Sequence, residues 1–132
     1  MANGTIAFDT LQTSGQITGT AKSVDTDYVV NGAVKSWARI NGTGSGVPAN
    51  QSFNVGSTTD SGTGDYEVAY SNNFSDGEYC ITLGDSNNAD VASATHTRCN
   101  TSSASGLGLQ VYYNGALADA TNVFYQVTGD LA

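Results

Sequence analysis

Charge is the first shortage. Only 12% of the 132 residues are charged, and four lysines and arginines face twelve aspartates and glutamates. The balance is a formal net charge of −8 and a pI near 4.1. A nucleic-acid partner demands the opposite sign, because phosphates are neutralised by Lys and Arg. Nucleic acid is therefore excluded. Proline occurs once, which excludes collagen-like and Pro-rich linker architectures. No apolar run approaches the roughly 20 residues that span a bilayer, so no membrane insertion is expected. The opening residues 1–15 (MANGTIAFDTLQTSG) lack the basic start and apolar stretch of a secretory signal. The expectation is a protein made and released in the cytoplasm.

Tunable chemistry is also scarce. His96 is the only histidine, on an alternating segment with Ala92 and Ala94, and reads as a surface or interface residue. No Gly-x-Ser-x-Gly nucleophile turn occurs. Zinc takes three or four His and Cys ligands, and His96, Cys80 and Cys99 match no closed spacing. Asp60 and Asp65, and again Asp85 and Asp90, lie five residues apart in segments that read as loops. Neither pair belongs to an Asp-x-Asp-x-Asp-Gly calcium loop, and Asp or Asn in turns is explained by bonding to nearby backbone. Residues 42–46 (GTGSG) run into Val47-Pro48-Ala49 with no lysine, so they form an inter-strand loop and not a phosphate cradle. No catalytic residue, metal or cofactor is expected.

What the chain has is Gly, Thr, Ser and Asn, which together make about 44% of it, and β-branched and aromatic residues alternating with small polar ones. Helix signals are nearly absent. Period-two faces recur: Tyr66, Val68 and Tyr70 in 64–71; Tyr79, Ile81 and Leu83 in 77–84; Leu107, Leu109, Val111 and Tyr113 in 106–114; Val123, Tyr125 and Val127 in 121–129. Residues 33–40 (AVKSWARI), 52–57 (SFNVGS) and 91–98 (VASATHTR) add three more. Turn pairs such as Asn41-Gly42, Asp76-Gly77, Asn87-Asn88 and Asn114-Gly115 separate them. The expected class is all-β: an antiparallel β-sandwich, jelly-roll or immunoglobulin-like, with an extended N-terminal arm.

Residues 1–32 have too few apolar side chains for a core of their own. They read as edge strands of the sandwich or as an arm for attachment or subunit exchange, with Ile6, Phe8 and Leu11 as its apolar pegs. Residues 33–132 read as the sandwich domain. A domain this small buries only about 65% of its chain surface, so pooled burial in a homo-oligomer is expected.

Two kinds of side chain remain as site candidates. Cys80 and Cys99 are candidates for one disulfide, provided their Cα atoms come within about 7 Å. Trp37 lies between Lys35 and Arg39, opposite Val34, Ala38 and Ile40, and Tyr112 lies opposite the Leu107–Tyr113 face. Outward aromatics among polar neighbours stack on sugar rings or pack at a subunit interface.

The central stretch also carries a resemblance. Lys35, Trp37, the Ile-Asn-Gly-Thr-Gly run at 40–44, Ser-Phe-Asn-Val at 52–55 and Thr-Asp-Ser-Gly-Thr-Gly-Asp-Tyr at 59–66 resemble a module of structural proteins of tailed bacteriophages, many of them marine. Residues 4–14 (GTIAFDTLQTS) are similar to the leader that precedes the module, and 106–129 are similar in pattern to its closing hairpin. Arg39 and Ile40 stand where a polar residue and an aromatic are common, and the two cysteines are unusual for the module. The resemblance implies a non-enzymatic virion protein, a tail fibre or fibre-like component contributing to host attachment, assembled in the host cytoplasm. It further implies a trimer, other virion proteins as partners and a host surface glycan as a candidate ligand. The alternative is a capsid decoration protein that cements the head.

Overall fold

A computed structural model describes residues 10–12, 23–25, 30, 32–86 and 95–132. The chain divides into two compact units, Met1–Ala33 and Val34–Ala132. In the first, β1 (Thr10–Gln12) pairs antiparallel with β2 (Ser23–Asp25), Leu11 opposite Val24. These two strands pair with each other in a sheet of their own. Ile6 and Phe8 lie outside the described residues, and of Leu11 only the backbone pairing is described.

The second unit is an all-β sandwich of two antiparallel sheets. One sheet has four strands in the order β4 (Ala49–Phe53), β3 (Val34–Ile40), β11 (Asn122–Thr128) and β7 (Cys80–Ser86). The other holds β5 (Val55–Gly62), β6 (Asp65–Tyr70) and β9 (Gly106–Tyr113), with β8 (Thr95–Ser103) also pairing β9 and the short β10 (Ala116–Leu117) pairing its far end. Alternation decides which side chains go inside. Ser36, Ala38 and Ile40 from β3, Val123, Tyr125 and Val127 from β11, Tyr66, Val68 and Tyr70 from β6, and Leu107, Leu109 and Val111 from β9 are all buried. Ile81 and Leu83 pack against this core from the edge. Each fully buried apolar side chain of this size stabilises the fold by about 1.5–3 kcal/mol.

Several boundaries differ from the sequence expectation, each for a local reason. Val34 does not join the inner face, because a bulge between β3 and β11 opposes Val34 to Thr128 and Ser36 to Val127. Ser36 is inside instead, its hydroxyl 3.0 Å from the Tyr125 hydroxyl. Residues 52–57 are not one strand. Asn54 adopts φ 56°, and the chain turns there from the four-stranded sheet into the other. The Asn54 side chain pins this corner, accepting from the Asn72 N–H at 2.7 Å and donating to the Asn72 carbonyl at 3.0 Å. Asp60 and Asp65 are in strands and not in a loop, joined by the tight Thr63-Gly64 turn. The strand expected over 91–98 runs on as far as Ser103. A bulge between Cys99 and Thr101 lets β8 stay paired to β9 as far as Ser103, which reduces the connection to Ala104-Ser105. The Asn114-Gly115 pair does form the expected two-residue hairpin, with φ of 51° and 82°, the left-handed pair that a type I′ turn requires.

Both ends of the sandwich are closed by aromatic residues. At one end Tyr70, Phe74 and Tyr79 cluster with ring centroids 4.7–5.9 Å apart. At the other, the Tyr66 hydroxyl donates to the Gly42 carbonyl and the Asp119 carboxylate at 3.3 Å each and accepts from the Ala120 N–H at 3.4 Å.

Candidate functional site

The four-stranded sheet turns a second set of residues outward, and its register aligns them in rows. Phe53, Trp37, Gln126 and Thr82 lie side by side across β4, β3, β11 and β7. One step along, Gln51, Arg39, Phe124 and Gly84 do the same. Trp37 is 39% exposed, Phe53 54% and Phe124 38%, high values for such side chains on a sheet face. Trp37 and Phe124 are diagonal neighbours, a relation that sets Cα atoms roughly 7–8 Å apart. A shallow groove of about 550 Å³ runs over this face, with Trp37, Phe124, Arg39, Gln51 and Gln126 in its lining. Gly84 leaves room beside the Phe124 ring: a Cβ there would meet only Phe124 Cδ2, at 3.9 Å. Arg39 Nε donates to Asn122 Oδ1 at 2.8 Å, and Asn122 Nδ2 donates to Ser86 Oγ at 3.0 Å.

The arrangement offers flat apolar rings at sheet spacing with amide donors and acceptors between them. Such a surface stacks on the C–H face of a ring-shaped ligand while the amides engage its hydroxyls. Among the described residues no His, Cys, Asp or Glu cluster of three or more could hold a metal ion, and no helix is long and apolar enough to cross a membrane.

Tyr112, the other aromatic singled out from the sequence, is on the outer face of the other sheet and in different company. Its ring stacks on His96 with centroids 4.9 Å apart and planes 4° from parallel. Arg98 Cζ lies 4.8 Å from the Tyr112 ring centroid. The Tyr112 hydroxyl donates to Gln110 Oε1 at 3.1 Å, and the same oxygen accepts from Arg98 Nε and Nη2 at 3.0 and 2.6 Å. Gln110 Nε2 then donates to Asp65 at 3.0 Å. The ring and its hydroxyl are thus engaged by the protein itself. Trp37 and Tyr112 are not brought together.

Cys80 and Cys99 are both free thiols, and the fold explains why the candidate bridge is not formed. The Thr97 hydroxyl donates to Asp85 at 2.6 Å and the Tyr79 hydroxyl to the Ser103 carbonyl at 3.2 Å. Cys80 is exposed on an edge strand of the four-stranded sheet, whereas Cys99 is half-buried on a strand of the other sheet, and the two strands do not pair. Cys99 Sγ instead donates to the Thr101 carbonyl at 3.0 Å, and burial pushes its thiol up. The aspartates act as turn and strap residues: Asp60 accepts from the Gly62 N–H at 3.0 Å and Asp119 from the Gly64 N–H at 2.7 Å. Asp90 lies outside the described residues.

Phe53 and Phe124 were missed as partners of Trp37. Phe124 carried a signal, since it alternates out of the Val123, Tyr125, Val127 face. Phe53 carried none until the β3–β4 register was known. No family model, curated protein or solved structure matches the chain.

Proposed function

We propose that this chain is a non-enzymatic surface component of a tailed-bacteriophage particle, a tail-fibre or fibre-like protein. Its sandwich contributes to host attachment by seating a host-surface sugar on the outer face of the four-stranded sheet. The observation that carries this reading is the exposed set Trp37, Phe53 and Phe124, interleaved with Gln51 and Gln126 in two register-matched rows. The sequence resemblance supplies the virion context. The N-terminal unit provides attachment to other virion proteins, and copies associate as a homo-oligomer, a trimer by the same resemblance, in which small sandwiches pool burial.

Trp37 is the only tryptophan in the chain, so its fluorescence reports directly on this face. Titration of the full-length protein with host envelope polysaccharide fragments is expected to shift or quench that emission saturably. Trp37→Ala particles are expected to adsorb more slowly to host cells while remaining intact. Gold-labelled antibody on whole particles locates the protein: gold at the tail supports the fibre reading. Gold spread over the head would replace it with the capsid decoration reading and remove the sugar-binding role.

A further inference from the structure

We infer that the sugar taken by this face is an acidic one, whose carboxylate is held by Arg39. The inference rests on the sugar-binding reading above and names its ligand class. Arg39 stands between Gln51 and Phe124 in the second row, on the same groove as Trp37. Its Nε is tethered by Asn122, which is itself tied to Ser86, so the side chain is held at its neck. Its two terminal nitrogens make no hydrogen bond to any described residue. Nor does Arg39 form a salt bridge with a described carboxylate, in a chain with twelve acidic residues and only four Lys and Arg.

Arg98 on the opposite face makes the contrast. Its Nε and Nη2 are both spent on Gln110, and its guanidinium lies against Tyr112. A guanidinium anchored at Nε and open at its terminal nitrogens matches a carboxylate, a pairing stronger than a neutral hydrogen bond and dependent on the planar fork that lysine lacks. The groove's volume is within the range of small-ligand sites. Trp37 and Phe124 would stack on the sugar ring as Arg39 takes the acid group, and the glutamines are left to read hydroxyls.

The test is Trp37 fluorescence titration of the full chain with a panel of acidic saccharides: galacturonate, glucuronate, mannuronate and guluronate oligomers and a sialylated trisaccharide. Each is measured beside its methyl ester, which keeps the shape and removes the charge. At least one acid is expected to bind about tenfold more tightly than its ester, with a preference that weakens in high salt. Arg39→Gln is expected to erase the acid–ester difference, and Arg39→Lys to restore it only in part. Near-UV circular dichroism confirms that the variants are folded. Acids and esters binding equally to the unaltered protein would overturn the acid specificity and leave the sugar-binding reading standing. Saturable acid binding that survives Arg39→Gln would overturn the role of Arg39. No response to any acid or ester would overturn this inference, and silence toward host polysaccharide as well would remove the reading beneath it.

Discussion

The two outward faces of the sandwich have similar strands beneath them and opposite surface chemistry. On the five-stranded sheet, His96, Arg98, Gln110, Tyr112 and Asp65 satisfy one another through a stack, a cation over a ring and a run of hydrogen bonds. On the four-stranded sheet, Trp37, Phe53 and Phe124 present their rings to solvent beside a half-satisfied arginine. Exposure alone does not distinguish a binding residue from a structural one; the partners already engaged do. A polar cluster that has closed on itself must break bonds to bind anything, whereas open rings lose only water.

The largest expected effect abolishes the comparison by collapsing the core that both faces share. Burial pushes the Tyr66 hydroxyl up to about 12, with the nearby Asp119 adding to the rise against the lowering Ala120 N–H. Burial likewise pushes Tyr125 up to about 12, partly offset by its bond to Ser36. In the unfolded chain both titrate near 10. Below pH 10 both states hold the proton and the contribution is fully present. Between pH 10 and 12 the unfolded chain loses protons that the native state keeps, so stability falls as pH rises. The slope is about 1.4 kcal/mol per pH unit for each tyrosine. Denaturant midpoints measured from pH 8 to 12 are expected to decline slightly from about pH 9, where the unfolded chain gives up the Cys99 proton that burial holds in the native state, and to drop more steeply above about 10; a flat profile through pH 12 would contradict the burial of these hydroxyls.

A pair of glycines sharpens the comparison next. A Cβ on Gly106, in the five-stranded sheet, would press into the Val68 carbonyl and the Ala69 backbone, whereas one on Gly84 meets only a ring carbon at ordinary distance. Gly106→Ala is expected to cost about 1–3 kcal/mol through overpacking, a fall in Tm of several degrees for a unit of this size. Gly84→Ala is expected to leave Tm nearly unchanged and to weaken sugar binding by crowding the space beside Phe124.

Aromatic truncation should then separate the faces functionally. Tyr112→Ala removes the His96 stack and the Arg98 contact, a loss of about 1 kcal/mol, and should leave sugar binding intact. Trp37→Ala should cost less stability and most of the binding. If the two variants exchanged phenotypes in melting and in a titration that reads Tyr112→Ala by fluorescence and Trp37→Ala by calorimetry, the assignment of the faces would be reversed.

How far the sequence shows this is uneven, for physical reasons. The inner faces of β6, β9 and β11 were legible because period-two alternation is a local property, and Tyr66, Val68 and Tyr70 or Val123, Tyr125 and Val127 declare it within one strand. The corner at Asn54 was not, because nothing in Ser-Phe-Asn-Val-Gly-Ser says that the chain changes sheets. The extension of β8 to Ser103 was hidden by a bulge that breaks the pattern. Trp37 was visible as an outward aromatic, but its setting depends on pairing β3 with β11, strands more than 80 residues apart. Likewise Tyr112 could not be told from Trp37 before His96 and Arg98 were seen to occupy it.

The smallest expected effect would partly open the closed face. Gln110 joins Arg98 and the Tyr112 hydroxyl at one oxygen and reaches Asp65 with its nitrogen. Gln110→Ala removes these bonds, which on a partly exposed face are worth about 1 kcal/mol in net. It also leaves Arg98 and Asp65 on the two strands that flank β9, with no amide between them. An exposed ion pair there would return up to about 1 kcal/mol, so the net loss in low salt is expected to be a few tenths of a kcal/mol. Salt screens the substitute pair but not the neutral parts of the original network. The variant should therefore fall further behind the parent in 1 M salt than in 0.05 M. Equal gaps at the two salt concentrations would mean that Arg98 finds no carboxylate when released, and that the amide, and not the charge it spans, is what closes this face.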